Sequence, residues 1–129
     1  MNDKTPPKLE FLVLSRGQWD KDAPPEKIQQ AIDEFYVWLE RCIAEGRMKM
    51  GQRLAREGKL VSKQQITDGP FAETREIVGG YWFIVAGSLD EAAKLAAQNP
   101  CLAYGLSYEI RPLELIRASA YAVTNETPT

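Results

Sequence analysis

The 129-residue chain contains no histidine. That absence removes the one side chain whose unperturbed pKa lies near neutrality, and with it every triad, dyad and metal site built on imidazole. Cysteine is scarce too. Cys42 and Cys101 lie far apart and form no C-x-x-C pair, so neither a metal site nor a thioredoxin-type motif is indicated. A reduced pair of small buried hydrophobes is expected rather than a disulfide. No apolar run approaches the ~20 residues of a membrane span. The segment Met1 to Lys8 is polar and holds no apolar h-region of a signal peptide, so a soluble, cytoplasmic chain is expected. Nor is there an excess of one charge: Lys and Arg number 16, Asp and Glu 18, for a net charge of −2. That balance offers no field for gathering nucleic acid, which calls for clustered Lys and Arg. No G-x-G-x-x-G or Walker-type loop occurs, and no cofactor is expected.

What is present is enough for one globular domain. Hydrophobic residues make up 44% of the chain, and a domain of this length can bury roughly two-thirds of its unfolded surface. Residues 1–7 read as a loose arm, 8–116 as the domain and 117–129 as a polar tail. Leu9 to Leu14 is almost continuously apolar, as in a strand covered on both faces. Pro24-Pro25-Glu26 opens a helix. Ile28, Ile32, Phe35, Leu39, Cys42 and Ile43 then recur at helical spacing until Gly46 ends it. Trp38 and Tyr36 flank this stripe and read as packing residues. Arg47 to Ala55 predicts a short strand, and Lys59 to Thr67 an exposed edge strand centred on Lys63-Gln64-Gln65. Asp68 to Gly80 reads as a loop, and Tyr81 to Ala86 as a second doubly covered strand. Ser88-Leu89-Asp90-Glu91 matches a capping box opening an Ala-rich helix that stops before Pro100. Leu106 to Leu113 alternates, with Leu106, Tyr108 and Ile110 on one face and Glu109 and Arg111 on the other.

This order predicts an α+β, ferredoxin-like (βαββαβ) antiparallel sheet with two helices on one face. The other sheet face would carry Leu12, Leu14 and aromatics, too apolar to leave wet. A second copy of the chain is its simplest cover, so a homodimer is expected.

The run Asp68-Gly69-Pro70-Phe71-Ala72-Glu73-Thr74-Arg75-Glu76, followed by Gly79-Gly80-Tyr81-Trp82, resembles the signature of the DGPF (DGPFAETKE-type) branch of the YCII-related domain family. Arg75 stands where that signature has Lys. Ser88 to Ala92 and Glu109 to Leu113 also resemble the family pattern, and the likeness covers about residues 8–114. It implies the dimeric α+β barrel fold, a function that is poorly defined, and, for some members, association with alternative sigma factors, hence a transcription-regulation partner. For the wider family it implies catalysis through a His–Asp pair, which a chain without histidine cannot form.

Two sets of residues could carry function. Asp68-Gly69-Pro70 reads structurally as a turn anchored by Phe71. Functionally, Asp68 or Glu73 could act as general acid or base in a lyase- or isomerase-like reaction if burial raised its pKa, with Arg75 as countercharge and Glu76 alongside. On the open sheet face, Glu10 is expected opposite Arg111, and Arg16 near Gly105 and Ser107. These read either as an interface ion pair or as a pocket in which Arg16 or Arg111 clamps a carboxylate beside Tyr81 or Trp82. The ligand-binding set is thus Arg16, Asp68, Phe71, Tyr81 and Arg111, and the preferred function is binding a small, carboxylate-bearing molecule.

Overall fold

The chain runs β1 (Leu9–Arg16), α1 (Pro25–Ala44), β2 (Met48–Arg53), β3 (Lys59–Val61), β4 (Ile66–Asp68), β5 (Val78–Ala86), α2 (Leu89–Ala96), a 3-10 helix (Pro100–Tyr104) and β6 (Ser107–Pro112). These elements come from a computed structural model that describes residues 7–69 and 77–128. The expected arm therefore lies outside the described residues but for Pro7. Pro70, Phe71, Glu73, Arg75 and Glu76 also lie outside them.

Four strands form one antiparallel sheet in the order β2-β5-β1-β6. This is the α+β, ferredoxin-like arrangement. Along β1, Phe11 and Val13 are buried while Leu12 and Leu14 are half-buried; along β5, Trp82, Ile84 and Ala86 are buried while Tyr81, Phe83 and Val85 are half-buried. Period-2 alternation thus sends one set toward the helices and the other to the open face. Phe11, Val13, Met48 and Ile84 meet Trp38, Leu39 and Cys42 of α1 and Ala92 and Leu95 of α2 in a single core.

The helix ends follow from local chemistry. Pro25 fits the first turn, whose N–H groups lack helical partners anyway. At the other end Gly46 adopts φ 75. Its N–H donates to Ile43 O at 3.0 Å and that of Arg47 to Cys42 O at 2.8 Å, the paired bonds of a Schellman stop. On α2, Ser88 Oγ accepts from Glu91 N at 3.1 Å. The Glu91 carboxylate reaches back to Gly87 N at 2.9 Å rather than to the cap residue's own N–H. Ser88→Ala is expected to lower stability by about 1 kcal/mol, read as a shifted urea midpoint with an unchanged slope.

Two expectations need correction. The edge strand read over Lys59 to Thr67 is a hairpin, with β3 paired to β4 in a sheet of its own. Lys63-Gln64 turns the chain between Ser62 and Gln65, which bond each other through Ser62 N to Gln65 O at 2.9 Å. The expected facing of Glu10 and Arg111 also fails: Leu12 stands opposite Arg111, and Glu10 pairs with Lys49. Arg16 does stand opposite Ser107.

Cys42 and Cys101 are both free and buried. Burial pushes each thiol's pKa upward, which disfavours the reactive thiolate.

Candidate functional site

One end of the sheet opens into a cleft of about 1670 Å³ between α1 and the strand ends. Ser15 closes β1 there, Gln52 and Arg53 close β2, Val78 to Trp82 begin β5, and Tyr108 lies early in β6. α1 supplies Ile32, Phe35, Tyr36 and Leu39 as the facing wall, and residues 54–58 border the mouth. The aromatic residues form a connected wall. The Trp82 ring sits 5.3 Å from Phe35 and 5.3 Å from Tyr108, in both cases edge to face, the arrangement ring quadrupoles favour.

A neutral polar cluster lies in this wall. Ser15 and Tyr108 are cross-strand partners, and the buried Tyr108 phenol bonds the Ser15 hydroxyl and the Cys101 thiol. Desolvation holds the Tyr108 pKa far above the usual phenol range, so the group stays protonated and can donate. The Cys101 Sγ also reaches Ala31 O at 3.8 Å, and Asn99 Oδ1 caps the 3-10 helix by accepting from Cys101 N at 2.9 Å. Asn99 is the buried polar residue of the core. Its Nδ2 lies near the phenol without completing a hydrogen bond, and the Trp82 Nε1 is likewise buried without a partner.

The residues nominated from sequence fall in three places. Arg16 and Arg111 meet on the open sheet face through Glu109, with Arg16 Nε 2.8 Å from Oε1 and Arg111 Nη1 3.1 Å from Oε2. Tyr81 stands between the two regions, lining the cleft while stacking its ring against Phe83 at 6.0 Å. Asp68 ends β4 on the separate hairpin, 77% exposed and paired with Lys59, and the burial a general base would use is not found there. Phe71 and Glu73 are outside the described residues. Gly69 and Ile77, which flank their segment, meet the cleft at its mouth: Gly69 N donates to Gly58 O at 2.6 Å, Gly17 N to Ile77 O at 3.3 Å, and Gly17, Gly58 and Ile77 all line the cleft.

The two guanidiniums hold the Glu109 carboxyl below the usual carboxylate range, Arg111 contributing most and Arg16 next. The folded-state pKa is depressed, so the stabilisation exists above the unfolded value and disappears as pH falls through the folded one. Glu109→Gln is therefore expected to lower the urea midpoint at neutral pH, with the difference from wild type closing below about pH 4. A difference that persists unchanged into acid would contradict the pairing.

A model of the YCII-related domain matches residues 10–114. The chain belongs to the YCII-related domain family. It is also similar to "Uncharacterized protein R00369" of Rhizobium meliloti (strain 1021), at 45% identity over 56 residues. That match covers 40% of this chain and 43% of the relative, so it spans less than half of either protein. Among the described residues of this YCII-related domain, no helix is long and apolar enough to cross a membrane.

The Ser15–Tyr108–Cys101 cluster was not singled out from the sequence. Its members lie on β1, β6 and the 3-10 helix, and none belongs to a motif. The alternation of β6 does assign Tyr108 to the helix side, which is the signal that could have found it.

Proposed function

We propose that this YCII-related domain binds a small, carboxylate-bearing molecule in the cleft between α1 and the sheet, and does so as a homodimer joined through the open sheet face. The observation that carries the binding reading is the cleft itself: an aromatic wall with a few convergent polar groups is what small-molecule sites look like. The homodimer reading rests on Leu12, Leu14, Phe83 and Val85, half-buried side chains on one sheet face that no helix covers. Asp68 faces solvent, so binding is preferred over proton transfer by that carboxylate. Sedimentation tests the dimer. The wild type is expected at twice the mass of one chain, and Phe83→Arg at the mass of one. A wild-type monomer at micromolar concentration would overturn the assembly. Amide-shift mapping against small carboxylates tests the site, with shifts expected at Ser15, Gly17, Val78 and Tyr108.

A further inference from the structure

Resting on the reading of the cleft as a ligand site, we propose that its occupant is a flat molecule that enters with an uncharged hydrogen-bonding group first and keeps its carboxylate at the mouth. The distribution of charge in the cleft carries this polarity. Among the described residues that line it, the charged ones are Arg53, Arg56 and Glu57, and all three are exposed. Two cations against one anion leave the mouth net positive, suited to a carboxylate that stays partly hydrated.

The other end of the cleft offers only neutral groups. Ser15, Tyr108 and Cys101 present two hydroxyls and a thiol, and a hydroxyl can donate to a carbonyl or exchange bonds with another hydroxyl. A carboxylate placed there would lose its water without gaining a cation, and desolvating an unpaired charge is far costlier than desolvating a hydrogen-bonded neutral group. Donors also outnumber acceptors beside this end, because Trp82 Nε1 and Asn99 Nδ2 are both buried without partners. An acceptor on the ligand suits that surplus. The edge-to-face run of Phe35, Trp82 and Tyr108 presents ring surface to whatever lies between α1 and the sheet, favouring a planar body.

Three probes of the same shape separate the possibilities: 4-hydroxybenzoate, benzene-1,4-dicarboxylate and 4-hydroxybenzamide, each titrated into the full chain and followed by amide shifts. The expected order places 4-hydroxybenzoate first, about ten-fold tighter than the dicarboxylate, whose inner end would be charged. The amide should bind more weakly than 4-hydroxybenzoate and without its salt dependence. Tyr108→Phe should weaken 4-hydroxybenzoate while leaving the amide spectrum folded, and Arg56→Gln should weaken 4-hydroxybenzoate but not the amide. Equal or tighter binding of the dicarboxylate, with shifts still in the cleft, would overturn the polarity and leave the cleft reading standing. Shifts confined to the open face around Leu12 and Phe83, or none with any probe at millimolar concentration, would overturn the cleft reading itself.

Discussion

Ile84→Ala is expected to destabilise the protein by about 4 kcal/mol, near the upper end of large-to-small core substitutions. Ile84 is 0% exposed and lies in the middle of β5, opposite Phe11 of β1 and Met48 of β2. Those two neighbours are themselves buried members of the same core. The lost side chain therefore leaves a hole walled by the sheet on both sides, where backbone pairing prevents collapse. The cost has two parts, the hydrophobic transfer of the missing carbons and the contacts forfeited around the cavity. For a domain of this size the melting temperature should fall by about 15 °C. Calorimetry and urea unfolding measure it, and a loss below about 1 kcal/mol would mean that the core is not packed as described. Val13, also 0% exposed, should behave similarly but lose less, because fewer carbons are removed.

Gly51→Ala is expected to cost about 3 kcal/mol, for the opposite reason: there is no room to add an atom. β2 carries one extra residue here. Lys49 pairs with Phe83 and Gln52 with Tyr81, so Met50 and Gly51 together oppose Trp82, the geometry of a β-bulge. The bulge presses Gly51 against its neighbour. A Cβ at this position would lie 2.0 Å from Tyr81 O and 2.8 Å from the Tyr81 ring, and a backbone carbonyl within a sheet cannot swing aside as a side chain can. Relief requires unpairing β2 from β5, which would also displace Tyr81 from the cleft wall. Gly46→Ala provides the contrast. Its Cβ meets nothing within 4 Å, so only the positive φ is penalised, at about 1 kcal/mol. Comparable losses for the two variants would show that the close approach at Gly51 does not exist.

The elements best read from sequence are those with a strong local signal. The apolar stripe and Gly46 located α1, and Ser88 with Glu91 located the start of α2, because caps and periodicity are set by neighbours in the chain. The alternation in β6 assigned Tyr108 and Ile110 to the core and Glu109 and Arg111 to the open face, as the pairing with β1 bears out. The β3–β4 hairpin was missed because its turn, Ser62 to Gln65, contains no glycine, proline or asparagine to mark it. Trp38 was read as flanking the helix stripe, yet it is 5% exposed and part of the core. A side chain of that size packs well beyond the arc that spacing alone assigns. Pairings across the fold were least legible. The partner of Arg16 is 93 positions away, and alternation fixes a face but not the register that chose Glu109 over the pairing expected for Glu10 and Arg111. The cleft cluster escaped notice for the same reason.

The place of β1 in the sheet also bears on how the chain reaches its native state. β1 comes first in sequence but lies between β5 and β6, so it must wait for both of its neighbours to be made. During synthesis its apolar residues stay without sheet partners until Val78 to Pro112 have emerged. Closing such sequence-distant pairs carries a large entropic cost before any contact offsets it, which slows folding. α1 can form early, and its apolar stripe is the nearest shelter for β1 in that interval. A chaperone that holds extended apolar segments would therefore find its target at the N-terminal end of this chain.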